Sequence, residues 1–192
     1  LARQYGVALR FDGTVAGGLP ALNLGQRDLR GAKIERIQAV PNLSTGLVLD
    51  LVADGVEWDC ALATARAEGV LEGDGAWDLE GWDAAAKLVI LANAVLDWPA
   101  RLEDVAVQGI VGTGREHILA VRKRGCNYRL LAQAQCRCDG RYSLTVEPTA
   151  LPSAHLLGKL SRRQMGVVYE TDIYGTIAAI IDEPDPLPSA AT

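Results

Sequence analysis

Apolar residues fall at Ile34, Ile37 and Val40 within residues 33–40 (KIERIQAV), a short segment closed off by Gly31 and Pro41. Its length and boundaries predict a strand, although the spacing alone does not decide it. Residues 43–53 put apolar side chains around a broad helical face. Residues 56–68 form a second helical pattern, with Gly69 placed to end it just beyond the C-cap. Gly73, Asp74 and Gly75 mark residues 70–80 as a loop. The run AAAKLVILANAVL joins strong helix formers to a wide apolar stripe and predicts a helix over 81–96.

Beyond Pro99 the pattern changes. Residues 105–111 are short and β-rich, and 115–124 read as a helix. Residues 128–135, 142–147, 166–172 and 176–181 read as strands, with Gly140 and Gly175 as turn signals between pairs of them. Helices followed by strands predict an α+β domain: a mixed, largely antiparallel sheet covered on one face by helices. We place this domain over 1–182. Residues 183–192 form a Pro-rich tail, since 182–192 hold three prolines and make a poor helix. The glycines of 109–114 are out of order for a dinucleotide fingerprint and lie mid-chain, so they read as a turn.

Composition narrows the function classes. The chain has 192 residues, 49% hydrophobic and 22% charged, which is globular rather than disordered. Aromatics are 5%, so the core rests on Ala, Val, Leu and Ile. The apolar run at 88–92 falls far short of the roughly 18 residues a membrane span needs. A net charge of −5 without a basic patch argues against nucleic acid as a partner. The chain opens on Leu1 and carries no signal-peptide pattern. Cys60, Cys126, Cys136 and Cys138 include one C-x-C and no C-x-x-C, and His117 and His155 are the only histidines. That is a poor metal set. Reduced cysteines in a cytosolic protein, some of them buried, are expected.

The stretch with chemistry in it is residues 72–87, EGDGAWDLEGWDAAAK, with carboxylates at Glu72, Asp74, Asp78, Glu80 and Asp83. Acids near a helix N-terminus favour the macrodipole, so capping and solvation alone account for many such clusters. Asp83 and Lys87, however, stand four apart and share one helix face that continues into apolar residues. A partly buried lysine beside a carboxylate can deliver or take a proton. The other acids could hold an ammonium group. Together these features suit an amino-acid substrate with a reactive carbon.

The spacing Ala65-x-x-x-Gly69, Glu72-x-Asp74, Asp78-Leu79-x-Gly81-x-Asp83-x-x-x-Lys87 resembles the signature of the homoserine dehydrogenase family. Residues 11–20 (FDGTVAGGLP), 39–49 (AVPNLSTGLVL), 146–157 and 167–175 are similar to further family segments. The resemblance implies hydride transfer between NAD(P) and the C4 carbon of aspartate semialdehyde or homoserine. It places Glu72, Asp78 and Asp83 at the substrate's ammonium and hydroxyl ends, Ser44 facing the substrate, and Lys87 by the reacting oxygen as proton donor, oriented by Asp83. It also implies a monovalent-cation site, suited to Na+, at Asp12, Val15, Gly17 and Leu19, largely through backbone carbonyls. A homodimer through the sheet is implied as well. The physics agrees with Lys87's role, because a cation aimed at that oxygen stabilises the transition state more than the neutral ground state.

The family's dinucleotide-binding domain has no counterpart here. We therefore expect a substrate domain cut from a longer protein or one half of a split enzyme, inactive without that domain in cis or as a separate subunit. Locally, Leu43 and Gly46 replace a usual Gly and Asn, Gly75 a usual Pro, and Leu71 a usual small residue. The run Glu183-Pro184-Asp185 replaces a Gly-rich turn near the cofactor, and two acids there oppose an anionic cofactor. Three readings follow: a homoserine dehydrogenase-like enzyme, a non-catalytic binding or assembly module, and a dehydrogenase for another hydroxy amino acid.

Overall fold

A computed structural model of the chain describes residues 2–7, 11–71 and 73–183. The one-turn helices α1 (Ala2–Tyr5) and α2 (Ala21–Asn23), the latter running into a π-turn at Leu24–Asp28, precede strand β1 (Ile34–Val40). Helices α3 (Leu43–Ala53), α4 (Trp58–Ala67), α5 (Ala76–Leu79) and α6 (Trp82–Val95) follow, then β2 (Val105–Val107) and α7 (Arg115–Lys123). The chain closes on β3 (Cys126–Cys136), β4 (Tyr142–Pro152), β5 (Gln164–Thr171) and β6 (Gly175–Asp182). The expected tail lies, apart from Glu183, outside the described residues.

The strands form one sheet in the order β2-β4-β3-β1-β5-β6. Every pairing is antiparallel except β2 with β4. Alternation sorts the strand residues to two faces. Ile37, Leu130, Ala132, Val146, Val167 and Tyr169 join Val48, Leu88 and Leu91 of the helices in the main core. Val40, Leu131 and Val168 face the other way and meet Leu157 and Leu160 from the loop after β4. The α+β architecture with helices on one face matches the expectation.

Four details differ. Residues 76–79 are helical within the expected loop, and β4 runs five residues further than expected, to Pro152. The extension contains prolines at 148 and 152. Strand β2 pairs β4 only through Val146, so beyond it that side of β4 is an open edge where a missing N–H costs no ladder bond. The cysteines are free, but none is buried: Cys60 and Cys138 are exposed, and Cys126 and Cys136 half-buried. Finally, Arg129 is 2% exposed and ties three segments together. Its Nη1 donates to Asp50 Oδ1 of α3 at 2.7 Å, and its Nη2 donates to the Leu160 carbonyl. No helix among the described residues is long and apolar enough to cross a membrane.

Glycine is required where the turn after β2 meets the start of α6. A Cβ at Gly109 would lie 2.3 Å from the Leu79 carbonyl oxygen, and Ile110 N donates to that same carbonyl at 2.8 Å. The glycine-rich stretch at 109–114 is thus a turn, as expected, and it seats the α5–α6 corner by backbone contact.

Burial raises the Asp50 carboxyl above its usual 3.8, and the Arg129 charge only partly offsets this. The folded state therefore holds that proton more tightly than the unfolded one. Its contribution to stability is fully present below pH 3.8 and is lost as pH rises through the folded value. Denaturant titrations across this window should show a decline that Asp50→Asn removes. Arg129→Ala, which strands a buried carboxylate, should cost about 3–5 kcal/mol at neutral pH.

Candidate functional site

Gly81 takes φ +88°, a left-handed conformation suited to glycine, and opens α6. Asp83 then falls in the first turn and Lys87 one turn later on the same face. Lys87 Nζ lies 2.7 Å from Asp83 Oδ2 and donates to the Pro41 carbonyl at 3.2 Å. The two side chains are 21% and 28% exposed, so the pair is partly buried as expected. An ammonium has three N–H donors, and these two contacts leave one for a ligand.

Asn42 sits at the N-cap of α3 with extended backbone, yet its side chain makes no capping bond. Its Nδ2 donates instead to Asp83 Oδ2 at 2.5 Å and Asp78 Oδ1 at 3.4 Å. One neutral amide thus holds two carboxylates. The first amides of α3 are left without a side-chain cap at residues 42–44, which line the same cavity. The sequence reading treated Asn42 as part of a family segment and did not single it out. The available signal was an Asn between Pro41 and the apolar helical pattern that begins at Leu43, an N-cap position, but its distant partners were invisible.

The cavity encloses about 440 Å³ between α3, the α5–α6 corner and the end of β6. Ser44, Asp78, Asp83 and Lys87 all line it, so four of the predicted residues converge there. Gly17 reaches it too, as do Asp74, Met165 and Glu183. Glu72 lies outside the described residues, as does the side chain of Asp12. Val15 and Leu19 are buried at 1% and 2% exposure, away from the lining. The Leu19 carbonyl accepts the Ala21 amide at 2.7 Å, which leaves it one lone pair. The loop before α5 is held by Arg66, which donates to the carbonyls of Gly73 and Asp74 at 3.3 and 3.2 Å.

The homoserine dehydrogenase family model matches residues 20–191. The chain belongs to this family. It is 31% identical over 177 residues to an NAD(+)-dependent homoserine dehydrogenase of Pseudomonas canavaninivorans, covering 92% of this chain and 50% of that protein. Against the homoserine dehydrogenase of Methanocaldococcus jannaschii, identity is 31% over 191 residues, covering 99% and 55%. A homoserine dehydrogenase structure from Thiobacillus denitrificans superposes with a TM-score of 0.91 at 28% identity, covering 99% of this chain and 44% of that one. The chain spans about half the length of the curated relatives it matches.

Removing the Asn42 amide would leave Asp78 and Asp83 facing each other without their shared donor. Asn42→Ala should lower stability by about 1–3 kcal/mol. Asn42→Asp, which adds a third carboxylate, should lower it further. Denaturant unfolding of the two variants checks that order.

Proposed function

We propose that this chain is the substrate domain of an NAD(P)-dependent enzyme interconverting L-homoserine and L-aspartate 4-semialdehyde. The reading is carried by the Lys87 ammonium, held at the cavity wall by Asp83 and Pro41 with one N–H to spare. Around it the cavity suits a small zwitterion. The uncapped N-terminus of α3 favours a carboxylate, and Asp78 favours an ammonium. With both ends fixed, C4 and its oxygen come to Lys87. Ser44 supplies a hydroxyl on the same wall, and Glu72 belongs to this substrate set by its place in the signature.

Reducing an aldehyde builds negative charge on its oxygen, and Lys87 meets that charge as it forms. Protonation of the alkoxide at that oxygen by Nζ completes the alcohol. Asp83 keeps Nζ in place throughout. The residues of this chain are a poor fit for the cofactor's diphosphate: the glycine-rich turn at 109–114 is used for packing, and acids line the cavity. We assign that group to a dinucleotide-binding domain, in cis or as a separate subunit. A monovalent cation on the carbonyls of Val15 and Gly17, beside Asp12, belongs to the same proposal. It is supported by consecutive left-handed residues at Ala16 and Gly17.

Leu43 lines the cavity where the signature has glycine, which favours a second reading, a dehydrogenase of another hydroxy amino acid. Lys87→Ala in the full-length protein should cut kcat by orders of magnitude. A loss below about threefold, under ~1 kcal/mol, removes Lys87 from the chemistry. Running the wild type across hydroxy amino acids in the same assay separates the readings, since oxidation of homoserine alone ends the second.

The homodimer through the sheet is also proposed. It is supported by Ile180, 47% exposed on the β6 edge. Light scattering should give twice the chain mass at micromolar concentration, and a monomer alone would count against the pairing.

A further inference from the structure

Two acceptors at the cavity have no hydrogen-bond partner among the described residues. Asn42 is 5% exposed, and its Oδ1 is buried without a hydrogen bond. Glu183, immediately after β6, is 7% exposed and lines the cavity. Its amide donates to the Arg163 carbonyl at 2.9 Å, but its carboxylate meets no described cation or donor. A carboxylate on a residue this far buried has given up part of its water, and N–H or O–H groups from a ligand would replace it. Lys87 does not supply them, because its contacts are Asp83 and Pro41. The cavity lining therefore carries Asp74, Asp78, Asp83 and Glu183 against one ammonium. Among the described residues of the lining nothing offsets this excess charge, and a donor-rich, positively charged group from a ligand answers both it and the burial of Glu183.

We propose that Glu183 is a specificity-determining residue that accepts the protonated amino group of the ligand from the β5–β6 side of the cavity. This rests on the reading of the cavity as an amino-acid site and adds to it a contact from a wall that the signature residues do not reach. It follows that the site should discriminate strongly against the same carbon chain lacking the amino group.

The test is calorimetric titration of the full-length protein and its Glu183→Gln variant with L-homoserine and with 4-hydroxybutyrate, which lacks only the ammonium. The wild type should bind homoserine the more tightly. The variant should lose about tenfold in homoserine affinity, some 1.4 kcal/mol, while 4-hydroxybutyrate changes less than about twofold. Equal losses for both ligands would mean that Glu183 only shapes the cavity, which overturns the proposal. An unchanged homoserine affinity overturns it too, but leaves the amino-acid reading standing. A wild type that binds both ligands alike sinks the amino-acid reading, and the proposal with it. Should the Gln variant fail to fold, Glu183→Asp, which keeps the charge but withdraws it by one methylene, is read against the same pair of ligands by the same criterion.

Discussion

A half-buried ammonium needs oxygen atoms in place of the water it gives up. For Lys87 these are Asp83 Oδ2 and the Pro41 carbonyl, which come from α6 and from the β1–α3 connection. That demand fixes where α6 can start relative to the sheet. It is met by backbone contact at the α5–α6 corner, where side chains at 81 or 109 would intrude. Asn42 then ties the acids of this corner to α3. An N-cap asparagine usually serves the helix it begins. Here it is diverted to the carboxylates, and the amides it leaves unserved become part of the cavity.

The cavity is thereby polarised by the chain's own groups. The positive end of α3, the Lys87 ammonium and several acids lie on different elements within about 440 Å³. A ligand with one charged group can satisfy only part of such a wall. A zwitterion with a polar oxygen three bonds further on satisfies it in several places at once, and fixing both ends orients the middle.

Local periodicity made the elements legible. The pattern over residues 43–53 marked α3 to both of its ends, because apolar residues around nearly the whole helix are buried. The i, i+4 spacing put Asp83 and Lys87 on one face, since helix geometry alone guarantees it. Features that depend on remote pairing were not legible. Arg129 and Asp50 are 79 positions apart, so nothing local marks them as a pair. The extension of β4 through Pro148 depends on which neighbour ends first, and no pattern within β4 carries that information. Ala76–Leu79 is a single turn, too short for a period to emerge. The convergence of Ser44, Asp78 and Lys87 was expected from resemblance, whereas the presence of Glu183 in the same cavity depends on where the far end of β6 comes to lie, after β5 and β6 have paired.

The departures from the family signature are not independent of one another. By resemblance to the family signature, Leu71 would replace a small residue and Gly75 a proline. A Cβ at position 75 would lie 2.5 Å from Leu71 Cδ1, and Gly75 has φ +70°, which proline's ring forbids. Leu71 is 3% exposed, so its side chain fills the space that a residue at 75 would need. With Leu71 in place, position 75 thus has room only for glycine. Leu43 and Glu183 likewise alter the size and charge of the cavity wall, while Asn42, Asp83 and Lys87 remain joined. The wall that would hold a ligand and the joined Asn42–Asp83–Lys87 group are thus set by different residues of the cavity.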